Sequence, residues 1–333
     1  MKKLTITFFL LFLFLLTIYI VFYTIYYEKI KSFLSLHDPL ATNSYIIEGW
    51  LPGEALDRVR PLLEEADRIY TVGGPLPEEY VMAENGYLIF SLDSFYKENI
   101  QEIKLIMKGQ RAGNVFPRFR VLVNDEIEIG EGFVAEEFDT FSYQVNEPKL
   151  ASLLIHYDND GYTRYRDRNL AVKSVIINGE LEIKARSPGV YYDKYKLDSV
   201  NILPAKFTNY ADVMAWRIIS SGIRGSTIRS VTNHARIINR TFSSARDLFN
   251  YGSREGNLPD SVNLISYGTH ARRSWIIFSK VLGPDIKTGV VRINPGREFP
   301  YNHFSKSYLM EFLSISKELF GCLVYSIYLN MFH

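Results

Sequence analysis

Cysteine is nearly absent: Cys322 alone stands in 333 residues, which excludes an intramolecular disulfide framework and every thiolate-rich zinc site. Six scattered histidines leave little else for zinc. A lone thiol is tolerated on either side of a membrane, so it does not fix the compartment. An excess of charge is lacking too. Lys+Arg 38 against Asp+Glu 37 gives a net +1, and no global field recruits nucleic acid or an acidic polymer. The chain carries no repeat, no low-complexity tract, no Walker or zincin pattern, and no serine or cysteine in a recognisable nucleophile motif. What is present is apolar: 47% hydrophobic against 23% charged residues. That balance excludes wholesale disorder and suits about two domains of ordinary size.

The run from Leu4 to Tyr27 holds no charged residue. At roughly 1.5 Å per helical residue it exceeds the ~30 Å hydrocarbon core of a bilayer. A cleaved signal peptide would end in small residues, whereas Phe22 to Tyr27 is aromatic and β-branched and looks like an interfacial belt. An uncleaved anchor over 1–28 is therefore expected. Lys2 and Lys3 precede it and Lys29 and Lys31 follow it, so charge alone does not set its orientation.

Beyond the anchor two textures alternate. Ser44–Ile47 reads as a strand, Pro52 opens a helix, and Arg68–Val72 is a second strand stopping at Gly73-Gly74-Pro75. This β-α-β start implies a parallel sheet. The texture returns after about residue 205: helices near 209–220, from Thr241, over 271–282 and over 305–332 enclose strands 228–231, 262–266 and 288–293. The last helix is apolar but reads as a packed or membrane-surface helix rather than a second span. Between these halves, roughly 84–196 has seven short alternating strands and turn pairs such as Asn124-Asp125 and Asn178-Gly179, the pattern of a β-sandwich. The expected architecture is an α/β parallel-sheet domain (40–83 plus 205–333) interrupted by an all-β jelly-roll-like sandwich (84–196).

In an open parallel sheet, ligand groups collect at the carboxyl ends of the strands. Glu48, Gly73 and Gly74, and the stretch Ser266 to His270 occupy such positions, and glycines there permit close backbone approach to a polar ligand. The ordered set IIEGWLPGEAL, TVGGP, a helix-opening Thr241 and SYGTHARRSWIIFSKVLG resembles the YdcF-like family, which includes the SanA and ElyC envelope proteins. The resemblance covers about 43–83 and 205–300. It implies a Rossmann-like fold, usually behind an N-terminal membrane helix, and a link to the bacterial cell envelope. It also implies that the family's acidic helix, normally soon after the Gly-Gly turn, is displaced or remodelled by the insertion. By that resemblance His270, Arg273 and Thr241 are the candidate polar site. An imidazole at a helix N-terminus has its protonated form disfavoured and would serve as a neutral donor or base. Arg273 would clamp a phosphate or carboxylate. The plainer alternatives are a His270 bonded to local backbone and a Thr241 that only caps its helix.

The densest polar stretch is His156-Tyr157-Asp158-Asn159-Asp160-Gly161-Tyr162, followed by Tyr165-Arg166-Asp167-Arg168-Asn169-Leu170. Hard oxygen ligands at that density suit calcium better than zinc or copper, although the spacing is not an EF-hand. The stretch resembles the calcium-dependent xylan-binding carbohydrate module, over roughly 103–178. The resemblance implies calcium held by Asp160 and Asp167, with the Arg166 carbonyl contributing and sugar hydroxyls completing the shell. Asp158 is a further candidate, and Tyr162 and Tyr165 would offer a sugar an aromatic face or a hydroxyl. An Asx-rich turn capping its own backbone and a calcium site that touches no glycan remain alternatives.

The expected protein is a single-pass, outward-facing envelope protein, membrane-bound through its N-terminal helix, whose sandwich takes a polysaccharide and which binds no nucleic acid. The alternative is an envelope enzyme acting on a phosphorylated lipid or sugar at His270 and Arg273, and a scaffold binding a protein partner is a third reading.

Overall fold

The computed structural model describes residues 13–14, 16–17, 21, 25–92, 99–145, 150–163, 166–196, 202–223, 227–232, 240–256, 258–294 and 304–332. In 53–54, 304–312 and 330–332 it describes the backbone alone. Most of the expected anchor lies outside these residues, and among the described residues no helix is long and apolar enough to cross a membrane.

The chain divides into two compact units, Met1–Pro75 with Asn209–His333, and Leu76–Thr208. In chain order the first unit begins with strand β1 (Ser44–Glu48), the Gly53–Glu64 helix and β2 (Arg68–Gly73). The second unit holds β3 (Tyr80–Met82), β4 (Gly86–Ser91), β5 (Glu102–Gln110), β6 (Arg118–Val123), β7 (Ile127–Phe133), β8 (Asp139–Gln144) and β9 (Ser152–Tyr157). It continues with β10 (Gly161–Tyr162), β11 (Asp167–Ile177), β12 (Leu181–Lys184), β13 (Val190–Asp193) and β14 (Leu203–Pro204). The first unit then resumes with the Tyr210–Ser220 helix, β15 (Thr227–Thr232), the Arg240–Glu255 helix and β16 (Ser261–Tyr267). A short 3-10 turn (Gly268–His270), the Ala271–Leu282 helix, β17 (Lys287–Ile293) and the Phe304–Phe332 helix complete it.

The first unit is a five-stranded sheet in the order β15-β2-β1-β16-β17, parallel throughout. Its strands are near-continuous apolar runs because both faces are covered. Tyr45, Ile47, Ile69 and Ile265 pack under the Gly53–Glu64 and Tyr210–Ser220 helices. The alternate residues Ile46, Tyr70, Val72 and Leu264 pack on the opposite face, with Leu248, Ile277, Phe278 and Leu329 of the other three helices. The chain moves outward through β2 and β15 and then crosses back to β16, so the order reverses between β1 and β16. That is the switch point at which such sheets leave a crevice.

The insertion leaves and re-enters the first unit at one place. Pro75 bridges to Asn209, and the Tyr210 amide donates to the Gly74 carbonyl at 2.9 Å. The Tyr210–Ser220 helix therefore follows the Gly-Gly turn in space. It is capped by Asn209, whose side chain accepts from the Asp212 amide at 2.7 Å.

The second unit consists of two six-stranded antiparallel sheets. One runs β10-β11-β5-β8, with β3 and β12 also on β11; the other runs β14-β13-β4-β9-β6-β7. Their inner faces meet in one core that includes Phe90, Leu105, Met107, Phe119, Val121, Ile155, Tyr157 and Val175. Two hairpins turn through paired left-handed residues, Asn124 (φ 50) with Asp125 (φ 69) and Asn178 (φ 52) with Gly179 (φ 72). This geometry matches strand twist and favours these residue types. The unit is wider at both ends than the expected 84–196, because the short strands β3 and β14 join its sheets outside that range.

Candidate functional site

Two groups of polar side chains stand out, one in each unit. The first lies at the switch point. Glu48 ends β1, is 2% exposed, and accepts hydrogen bonds at Oε2 from Ser266 Oγ (2.9 Å) and Ser274 Oγ (3.0 Å). His270, in the turn after β16, faces it, with Nε2 3.6 Å from Glu48 Oε1. The other ring nitrogen, Nδ1, is 3.1 Å from Glu318 Oε2, and the same carboxylate oxygen is 3.0 Å from Arg273 Nε. Arg273 Nη2 lies 2.8 Å from His270 Nδ1. Trp50, 42% exposed, meets the His270 ring edge-on at 5.0 Å between centroids. Two carboxylates and two cations thus form a charge-balanced quartet, half-open at Trp50.

The electrostatics correct one expectation. Burial alone would drive His270 toward its neutral form, but the Glu48 charge and the bonds to Glu318 and Glu48 outweigh burial and Arg273, and raise it to about 9. The ring is an imidazolium at neutral pH, not the neutral donor expected from its helix-start position, because two adjacent full charges exceed a helix-end half charge. Burial likewise disfavours ionised Glu48, yet the His270 charge and hydrogen bonds from His270, Ser266 and Trp50 hold its carboxyl below the usual carboxylate range.

Gly73 and Gly74 serve a different purpose from the ligand approach expected of them. A Cβ on Gly73 would sit 2.8 Å from both the Ala211 amide and Tyr210 Cβ, and one on Gly49 only 2.5 Å from the Tyr210 carbonyl oxygen. The space over both strand ends is taken by the first turn of the Tyr210–Ser220 helix, and the Gly74 carbonyl is spent on Tyr210. Thr241 sits in the first turn of the Arg240–Glu255 helix, and among the described residues no hydrogen bond or ion pair joins it to His270. Glu318 belongs to none of the sequence motifs. Its signal was available: it is the one acid in the apolar-rich stretch 313–332, and a buried carboxylate needs a cationic partner.

The second group is the aspartate hairpin. Gly161 pairs with Arg168 and Tyr162 with Asp167, so Tyr162, 72% exposed, stands directly across the ladder from Asp167. Asp160 turns the chain into this hairpin. Its amide donates to Asn85 Oδ1 (2.7 Å), while its Oδ1 accepts from the Gly161 amide (2.7 Å) and from Tyr157 Oη (3.4 Å). Burial raises the Asp167 pKa first, the Asp160 charge adds to it and Glu84 contributes further, against the hydrogen bond from the Arg168 backbone. Two carboxylates repel each other here across an exposed hairpin, a donor set that fits a hard cation with open coordination positions.

Among the described residues, no cluster of three or more His, Cys, Asp or Glu meets metal-site geometry. The remaining ligands of such a cation would be carbonyls, water or sugar hydroxyls. The Arg166 carbonyl is engaged, accepting from the Thr163 amide (2.8 Å) and hydroxyl (3.3 Å). Asp158 is set apart: Arg118 grips it through Nε (3.0 Å) and Nη2 (2.7 Å), and Arg120 Nε lies 3.4 Å away. Despite burial, Arg118 foremost holds its carboxyl below the usual range, so its charge is already neutralised. Tyr165 lies outside the described residues.

Residues 102–193 match the family model of a calcium-dependent, xylan-binding carbohydrate-binding module. The stretch contains the whole aspartate hairpin, and this part of the second unit is of the carbohydrate-binding type. No curated protein matches the chain. Among solved structures, the chain is similar to a family two carbohydrate esterase from Clostridium thermocellum in complex with cellohexaose, at 10% identity, 73% of this chain, 79% of that chain and a TM-score of 0.24. It is also similar to a glycosylation-associated protein complex (Gap123) from Streptococcus agalactiae, at 14% identity, 61% of this chain, 64% of that chain and a TM-score of 0.20. Likenesses at these scores carry no weight for fold or function.

Proposed function

We propose that the protein binds a polysaccharide through its second unit, with calcium held at Asp160 and Asp167 and directly engaging sugar hydroxyls. The match of residues 102–193 to a calcium-dependent carbohydrate-binding module carries this reading, and the mutual repulsion of the two carboxylates supports it. Asp160 and Asp167 supply the anionic charge that a hard dication needs, and Tyr162 lends a neighbouring aromatic face to a sugar ring. The Leu4–Tyr27 run anchors the chain in the membrane, with both units in the cell envelope outside the cytoplasm, where calcium and glycans meet. The first unit is YdcF-like. The test is binding of the full chain in detergent to a polysaccharide panel, with calcium and with chelator. Calcium-dependent binding lost in both Asp160→Ala and Asp167→Ala is expected; a folded protein that binds no glycan at saturating calcium refutes it. A reporter fused at the C-terminus that is active only in the cytoplasm would falsify the sidedness.

A second reading concerns the first unit and is favoured by the buried quartet at the switch point. There His270 and Arg273 receive a phosphorylated lipid or sugar, and the unit acts as an envelope enzyme or sensor. Loss of the envelope phenotype in His270→Ala, with folding and glycan binding intact, is the expected result; an unchanged phenotype refutes it.

A further inference from the structure

The Phe304–Phe332 helix places Glu318 where a ligand of the switch-point crevice would lie, and Glu318 is a poor fit for the groups that hold it. One carboxylate oxygen, Oε2, faces both His270 Nδ1 (3.1 Å) and Arg273 Nε (3.0 Å). A guanidinium fork is shaped for two oxygens at once. Here its second arm, Nη2, is spent 2.8 Å from a ring nitrogen that itself carries positive charge. His270 Nε2 is buried and only loosely paired, with Glu48 Oε1 3.6 Å away. Two cations at the carboxyl end of a parallel sheet are therefore neutralised but not well satisfied.

The guanidinium does not depend on Glu318 alone for its position. A Cβ on Gly321, one turn further along the same helix, would sit 2.6 Å from Arg273 Cδ, so the bare helix backbone forms a seat for the arginine stem. The helix is itself anchored next to Glu318 by Ile315 and Cys322, which pack with Leu34 and Ile276. Helix and arginine therefore have supports of their own that do not pass through the Glu318 carboxylate. Trp50 leaves the rim of the crevice half-open beside His270.

We propose that Glu318 is a built-in carboxylate occupant of a phosphate site, and that a phosphomonoester binds by displacing it from His270 and Arg273. This rests on the second reading above. A phosphomonoester offers three oxygens to Arg273 Nε, Arg273 Nη2 and the imidazolium, where the carboxylate offers one. Trp50 would flank whatever the phosphate is attached to. Because an internal group competes at very high effective concentration, wild-type protein binds phosphate weakly and selectively retains ligands whose remainder contributes contacts of its own.

The experiment is a titration of the full chain in detergent, in phosphate-free buffer at pH 7, with inorganic phosphate, followed by 31P NMR and calorimetry. Glu318→Gln, which keeps the shape and removes the charge, is expected to bind phosphate at least about tenfold more tightly than wild type, and Arg273→Lys in that background to reverse the gain. A sugar 1-phosphate and a short-chain phosphatidic acid, titrated in parallel, tell a sugar from a lipid source. Equal binding by wild type and Glu318→Gln overturns the displacement while leaving the anion reading in place. Binding by neither overturns both. If Glu318→Gln does not fold, wild type decides: displacement of Glu318 must change the Trp50 environment beside His270, and unchanged tryptophan emission at saturating phosphate overturns the proposal.

Discussion

Raising the pH from 6 to 9.5 should destabilise the first unit chiefly through one ring, with the buried Cys322 thiol, pushed up to about 11, adding a little only near the top of that range. His270 is lifted from 6.5 to about 9 in the folded protein, so over that window the folded state holds a proton that the unfolded chain has released. Each tenfold difference in proton affinity between the two states is worth about 1.4 kcal/mol, so the protonated ring stabilises the fold by about 3 kcal/mol below pH 6.5. That stabilisation declines as the pH climbs and is gone above about 9. The lowered pKa of Glu48 is the other side of the same attraction and is not added. It acts in the opposite window, with its stabilisation present above the unfolded carboxyl value and lost as acid reprotonates the folded group. The three tryptophans, Trp50, Trp216 and Trp275, all lie in the unit that holds His270, so their emission during urea titration follows that unit alone. Wild-type protein should lose stability steadily from pH 6.5 to 9, and His270→Gln should be less stable at pH 6 and much flatter. Equal wild-type stability at pH 6 and 9.5, or the same decline in His270→Gln, refutes the charged quartet.

Other consequences are open to direct measurement. Asp158→Asn removes a carboxylate held by two arginines and should lower the melting temperature of the sandwich by a few degrees while leaving calcium affinity within about twofold; a loss of calcium binding would return Asp158 to the metal site. Gly49→Ala pushes a methyl to 2.5 Å from the Tyr210 carbonyl oxygen and should cost about 1–3 kcal/mol in tryptophan-monitored melts, with no change in glycan binding. Calcium affinity should fall on acidification earlier than ordinary carboxylates predict, because burial and Asp160 raise the Asp167 pKa and a protonated ligand cannot bind metal; calorimetry at pH 7 and pH 5 measures it.

Local patterns were the legible part of this chain. Apolar runs at 45–47, 69–72 and 262–265 announce doubly covered parallel strands, and Asn124-Asp125 and Asn178-Gly179 announce hairpins since only a few residue types adopt positive φ cheaply. The aspartate hairpin was legible for the same reason: Asp160 and Asp167 lie a few residues apart and are brought together by one short turn. Strands β3, β10, β13 and β14 were missed, being two to four residues long and held by pairing with their partners rather than by their own composition. Strand β7 was not among the seven expected strands either, its glycines and exposed residues giving a weak strand pattern.

The sequence by itself determined the alternation of textures, the place of the insertion and the oxygen-rich hairpin, because each depends on contacts or preferences within a few residues, whereas His270 and Arg273 were singled out by family resemblance. Tertiary structure alone decided which charges meet. Glu318 reaches His270 from 48 residues away, Arg118 claims Asp158 from 40 residues away, and the Tyr210 backbone fills the space that Gly49 and Gly73 leave open. The protonation of His270 follows from that assembly, since a pKa is set by burial and by the charges facing it across the fold.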